Sequence, residues 1–146
     1  MQRRQKISAA IVAVEDDPHQ MELLTMAIRG LPIDIPIVAA VDGADALSKL
    51  QNIPASEFAK TVALVLLDLR LPKMHGLEVL ALLKQRGLTD KTPFIAFTSS
   101  DSTAERERSL SLGARDYLVK PLGYRAMQGL VSNLYERWIA NRLNKH

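Results

Sequence analysis

The sequence predicts an α/β fold, a doubly wound parallel sheet of five strands with helices on both faces. Three observations carry this expectation. Short apolar runs alternate with amphipathic stretches, and the alternation repeats five times. Two of the runs, ISAAIVAV over 7–14 and VALVLL over 62–67, are continuously apolar, the pattern of strands covered on both faces. Strand–helix units in series with right-handed crossovers make the strands parallel and place helices on both sides of the sheet.

Taken along the chain, 7–14 is the first strand. Asp17-Pro18 then supplies an N-cap and a first-turn proline for a helix whose Met21, Leu24 and Ile28 share a face and which stops at Gly30. IPIVAAV over 35–41 contains Pro36, which has no N–H to donate to a ladder, so this strand belongs at an edge. A helix over 42–50 follows, then the strand 62–67, a helix over 76–85 closing at Gly87, and the strand FIAFT over 94–98. The helix over 102–112 is centred on Glu105-Arg106-Glu107-Arg108 and has few apolar anchors, so little buried area holds it. A short peripheral strand ends at 117–119. A last helix, 124 to about 144, carries Met127, Leu130, Val131, Leu134, Tyr135, Trp138 and Ile139. With the Pro36 and Tyr117 strands at the edges, the order is 2-1-3-4-5, the flavodoxin-like (βα)5 arrangement, in a single domain over 1–146.

Composition narrows the function classes. At 146 residues, with 47% hydrophobic and 24% charged residues, the chain has the size and usage of one globular domain. There is no cysteine, hence no disulfide framework and no thiolate metal site. No run approaches the roughly 18 apolar residues of a membrane span, and residues 1–6 are a basic polar tail without signal-peptide character, so the cytoplasm is the expected location. The net charge of +3 is concentrated at the ends: residues 1–6 and 121–146 each carry +3, and the body between holds 12 basic against 15 acidic residues. That distribution argues against a nucleic-acid-binding stripe.

The polar residues collect at one sheet edge, because ligands in this architecture bind beyond the carboxyl ends of the strands where the strand order reverses. The first strand runs into Glu15-Asp16-Asp17, the third ends at Asp68, the fourth at Thr98 and the fifth at Lys120, followed by Pro121. Carboxylates gathered there repel one another unless a cation offsets them, and an all-oxygen set open to solvent suits Mg2+. Asp68 is then a carboxylate nucleophile for phosphoryl transfer. Lys120 is a compact cation for Asp68 before transfer and for phosphoryl oxygens after it, and Thr98 is a hydroxyl donor. Taken singly, each has a plainer explanation: N-caps for the acids, which is the role assigned to Asp17, a loop hydroxyl for Thr98 and a solvated cation for Lys120. It is their convergence that favours a site.

The motifs VEDDP (14–18), LLDLRLPKMHGLEVL (66–80), PFIAFTSS (93–100) and GARDYLVKP (113–121) resemble, in order, those of response-regulator receiver domains over roughly residues 7–127. The resemblance implies that Asp68 is the phosphoacceptor, modified by a sensor histidine kinase. It also implies that Glu15 and Asp16 form the acidic pair at a Mg2+ site to which Arg70 adds its backbone carbonyl. Thr98 matches the switch hydroxyl, Tyr117 the aromatic that changes rotamer, and Lys120 the family's lysine, with a cis Lys120–Pro121 bond. Phosphorylation then shifts a population towards a changed face formed by helix 102–112, the strand ending at 119 and the last helix. With no output domain following, the chain is expected to act on a partner and to catalyse only its own phosphorylation and dephosphorylation. FTSS, LPKMHGLEVL and Trp138 also resemble the stand-alone regulators of bacterial phytochrome kinases.

Some positions depart from the pattern. His75 stands where such proteins often carry Asp or Asn, and reads as a loop histidine without a partner; His19 and His146 have no metal spacing with it. Ser99 leaves the phosphoryl group accessible, and Arg70 bears on the access of water. The resemblance implies homodimers through the last helix, or through the face of helix 102–112, the strand ending at 119 and the last helix. Tyr135 and Trp138 suggest a self-associating surface on the last helix, or else cover for the bottom of the core. An aspartate-nucleophile phosphatase wants a second Asp where Arg70 stands, a nucleotide-binding module wants a glycine-rich first loop instead of EDDPHQ (15–20), and a phosphorylation-independent adaptor has no need of the full acid–Thr98–Lys120 set.

Overall fold

The computed structural model describes residues 4–143; the outer part of the expected tail, residues 1–3, and the end of the last helix at 144 lie outside that range, as does His146. In chain order the elements are β1 (Gln5–Lys6), β2 (Ala10–Val14), α1 (Pro18–Arg29), β3 (Ile33–Asp34), β4 (Ile37–Ala40), α2 (Gly43–Leu50) and α3 (Ala55–Thr61). They continue with β5 (Val62–Leu67), α4 (Gly76–Gln85), β6 (Phe94–Thr98), α5 (Thr103–Ser111), β7 (Asp116–Val119) and α6 (Tyr124–Leu134). A π-helical turn, Tyr135–Ala140, and a last short helix, α7 (Asn141–Leu143), complete the chain. The main sheet is parallel throughout, in the order β4-β2-β5-β6-β7, which is the expected 2-1-3-4-5.

Alternation along the strands divides the core. Val12, Val14, Val65, Leu67, Phe94, Ala96 and Tyr117 pack on one face with α2, α3 and α4, while Ile11, Ala13, Leu64, Leu66, Ile95 and Phe97 pack on the other with α1 and α6. Every residue of β2, β5 and β6 is buried, at about 1.5–3 kcal/mol for each large aliphatic side chain, so the strand ends that carry the site stand on the most heavily buried part of the molecule. Three helix starts are capped by side chains, the first as expected. Asp17 caps α1 through His19 N at 2.9 Å, Asp42 caps α2 through Asp45 N at 2.7 Å, and Ser102 caps α5 through Glu105 N at 3.2 Å. Only Ser109 is buried on α5, in keeping with its sparse apolar content.

Several features differ from expectation. The first strand begins at Ala10, and Pro36 lies just outside β4, its carbonyl accepting from Ile11 N at 2.9 Å. Part of the expected tail is structured: Gln5 and Lys6 pair in parallel with Ile33 and Asp34, and the Arg4 guanidinium donates to the carbonyls of Arg29, Leu31 and Ile33 just past the end of α1. Helix α3 was not anticipated because its one apolar anchor is Phe58, which stacks on Phe94 at 6.1 Å between centroids. The π turn brings Ile139 onto the core behind Leu134, five positions earlier; an α-helix would set the two about 140° apart. Tyr135 and Trp138 are partly buried against that same core, which is the second of the two roles considered for them. No described helix is long and apolar enough to cross a membrane.

Candidate functional site

Strand register builds the site. Val14 is paired with Leu67 and Thr98 with Val119, so the residues that follow these strand ends meet at one edge of the sheet. Backbone bonds extend the ladders one step further and hold the site residues in place: Asp68 N to Val14 O at 3.1 Å, Glu15 N to Ala40 O at 2.9 Å and Lys120 N to Thr98 O at 2.7 Å. The result is a crevice of about 370 Å³ walled by Glu15, Asp16, Asp17 and Gln20 from the β2–α1 junction, Asp68 and Arg70 after β5, Ser99 after β6, and Lys120, Pro121 and Leu122 after β7.

Within it, carboxylate oxygens of Glu15, Asp16 and Asp68 lie within 4.8 Å of one another; Glu15 and Asp68 are buried and Asp16 is exposed. The Lys120 ammonium bridges the two buried acids, donating to Asp68 Oδ2 at 2.7 Å and forming an ion pair with Glu15 Oε1. Burial pushes the Glu15 carboxyl up, an effect that the Lys120 bond and the Asp17 N–H only partly offset and that the neighbouring Asp68 charge increases. Burial also acts to lower the Lys120 ammonium, but its bonds to Asp68 and Glu15 prevail and hold it above its ordinary value. One cation thus bridges the two buried acids of the cluster.

The other expected residues are placed as follows. Thr98 is fully buried and does not wall the crevice; its hydroxyl accepts from Ser100 N at 3.4 Å. Tyr117 is inward and 1% exposed, not a half-exposed edge aromatic; its hydroxyl donates to Ser100 O and accepts from Ser102 N at 3.3 Å. Arg70 sends its backbone N–H to Asp68 Oδ1 at 3.0 Å, but its guanidinium is turned to Ser100 Oγ at 3.1 Å and to Glu105 at 3.3 Å. Two expectations are corrected. The described chain contains no cis peptide, so Lys120–Pro121 is trans, the isomer an X–Pro bond favours by about 0.5–1 kcal/mol, and Lys120 still reaches both acids from it. His75 has partners: its Nδ1 accepts from Leu77 N at 3.0 Å and caps α4, and its Nε2 faces Glu105 at 3.9 Å. Sequence reasoning missed Glu105 because it sits in a charge run that reads as a solvated face. The available signal was S-x-x-E at 102–105, the capping-box pattern.

The family model for the response regulator receiver domain matches residues 11–132. The chain belongs to that family. The alkaline phosphatase synthesis transcriptional regulatory protein SphR of Synechococcus elongatus is 32% identical over 82% of this chain and 46% of its own length, so the chain spans about half of that relative. Among solved structures, the Mn2+-bound form of response regulator Rcp1 superposes with a TM-score of 0.78 at 29% identity, covering 90% of this chain and 95% of its own. The phosphorylated cyanobacterial phytochrome response regulator RcpA gives 0.80 at 26% identity, covering 95% and 96%. Receiver domains are phosphorylated by sensor histidine kinases in two-component systems, and they bind Mg2+ or Mn2+ at an acidic site. The donor chemistry of this receiver domain fits such an ion: three carboxylates offer hard oxygen ligands within one small space, and the crevice leaves room for water to complete the shell.

Proposed function

We propose that this receiver domain takes a phosphoryl group from a sensor histidine kinase on Asp68 and signals through α5, β7 and α6. The observation that carries this reading is the Lys120 bridge between Asp68 and Glu15 at the meeting of the strand ends, which sets an ammonium beside the Asp68 carboxylate at the wall of one crevice. In the transfer, an Asp68 oxygen attacks phosphorus and the bond to the donor's leaving group breaks, the leaving group departing with the electron pair and taking up a proton. Glu15, Asp16 and Asp68, with the Arg70 backbone carbonyl, are the groups that would hold Mg2+, which neutralises charge developing on the phosphoryl oxygens. Lys120 pairs with the new anion, and the Thr98 hydroxyl reaches it once the β6–α5 loop moves inward. A phosphatase reading is disfavoured because the position two after Asp68 carries Arg70, which supplies no general acid.

The test is incubation with acetyl phosphate and Mg2+, then intact mass measurement, with a phytochrome-type histidine kinase as a second donor. One added phosphoryl mass on the wild type and none on Asp68→Asn is expected; labelling that persists in the variant, or none from either donor, refutes the acceptor reading. Support for a phytochrome-type kinase is the likeness to RcpA along nearly the whole chain. Faster transfer from that kinase than from an unrelated one is the expected result.

Leu110 on α5 and Val119 on β7 are 43% and 39% exposed, and Leu122 is 94% exposed just beyond. Val119 and Leu110 leave apolar side chains on the α5–β7–α6 face, which supports that face, more than the partly buried Trp138, as the surface for a second copy. Sedimentation should show association that Val119→Glu abolishes and Trp138→Ala, if folded, retains.

A further inference from the structure

The Glu105 carboxylate is a junction that joins three elements. Its Oε2 pairs with the Arg70 guanidinium at 3.3 Å and faces His75 Nε2 at 3.9 Å, and its Oε1 lies 3.3 Å from the Tyr117 hydroxyl. The side chain is only 15% exposed. An acid three residues after an N-cap serine ordinarily turns back to the cap's own N–H. Here the Ser102 N–H goes to the Tyr117 hydroxyl instead, at 3.3 Å, which leaves the Glu105 carboxylate free to face the crevice side of α5.

Arg70 is the other half of the arrangement. Its backbone N–H already rests on Asp68 Oδ1, while its guanidinium is held away by Ser100 Oγ and Glu105. Among the described residues walling the crevice the only bases are Arg70 and Lys120, and Lys120 is buried and committed to two acids. When a phosphoryl group adds about two negative charges to Asp68, Lys120 is already at the acceptor, and Arg70 is the second crevice-lining cation among the described residues, able to turn inward and join it.

Building on the acceptor reading above, we propose that Glu105 is a positioning residue: it holds Arg70 off the crevice and thereby shortens the life of the phosphoryl group on Asp68. Hydrolysis needs a water molecule to attack phosphorus from the crevice mouth. The water oxygen ends in orthophosphate, the bond from phosphorus to the Asp68 oxygen breaks, Asp68 leaves as a carboxylate, and one proton passes to solvent. A guanidinium drawn onto the phosphoryl oxygens stands across that approach, and the Glu105 carboxylate competes for it. The same competition ties the start of α5 to the state of the site, because Arg70 cannot serve both anions.

The test is a double-mutant cycle on the full chain, labelled with acetyl phosphate and Mg2+, reading the decay of phosphoprotein by intact mass after donor removal. Glu105→Gln keeps the shape and the hydrogen-bonding capacity towards Tyr117 but removes the charge that competes for Arg70. It should lengthen the half-life roughly two- to fivefold, the span expected for a partly exposed ion pair. In an Arg70→Ala background the same Glu105→Gln change should have no effect, an outcome that a merely structural role for Glu105 does not produce. An unchanged or shorter half-life in Glu105→Gln, or an equal effect with and without Arg70, overturns the inference. A wild type that takes no label at all removes the acceptor reading itself, which separates the two failures.

Discussion

Lys120→Met destabilises the fold by about 3 kcal/mol at neutral pH in the presence of a chelator, the scale expected when a buried ion pair loses one partner. Without the ammonium, Glu15 and Asp68, 3% and 4% exposed, face each other with no countercharge. The sign of the pH dependence follows from Glu15. Burial already raises its carboxyl above 4.5 in the fold, and losing Lys120 removes influences that lower it. The native variant therefore holds a proton over a window starting near 4.5 that the unfolded chain has released, and its stability falls as pH rises through that window. Urea unfolding at about pH 5 and about pH 8 should show a smaller loss at the lower pH. Mg2+ should restore part of the rest, about 2.7 kcal/mol at a hundredfold excess over its dissociation constant. An equal loss at both pH values and no response to Mg2+ would instead assign the effect to the packing of the lysine stem.

The second large effect is expected at Gly76. A Cβ there would lie 2.5 Å from the Asp68 carbonyl oxygen and 2.6 Å from Leu69 Cα, both backbone atoms that cannot rotate aside. Gly76 N also donates to Leu69 O at 2.8 Å, so the start of α4 is tied directly beneath the acceptor. Gly76→Ala is expected to cost about 3 kcal/mol, at the upper end for overpacking, and to displace Asp68 from Lys120. Thermal unfolding gives the stability. Loss of phosphoryl labelling in the fraction still folded gives the displacement, and a variant that labels and unfolds like the wild type shows that the loop yields without cost. A Cβ at Gly43 would likewise lie 2.6 Å from Met74 O, so the start of α2 closely approaches the loop between β5 and α4.

The fold and the acidic cluster were legible in the sequence for a local reason. Runs such as VALVLL are buried on both faces wherever they lie, and strands that alternate with helices must all end at the same edge. Glu15, Asp16, Asp68 and Lys120 each directly follow such a run, so their meeting depends on chain order alone. The N-cap expected at Asp17 is likewise fixed within three residues of itself.

What depended on the tertiary structure is the direction taken by side chains between elements far apart in sequence. His75 is a cap and not a free loop residue, Tyr117 points inward, and Thr98 is buried behind Ser99. Glu105 lies 35 residues from Arg70 and 12 from Tyr117, and whether it meets them depends on how α5 docks. Within Glu105-Arg106-Glu107-Arg108 a charge run at helical spacing is compatible with either face, and the Ser102-x-x-Glu105 spacing marks Glu105 only as a capping residue, not as a partner of Arg70. The apolar pattern of a strand decides its own burial; the partners of a charge are decided only once neighbouring elements have packed, since a polar contact depends on distances that no local pattern sets.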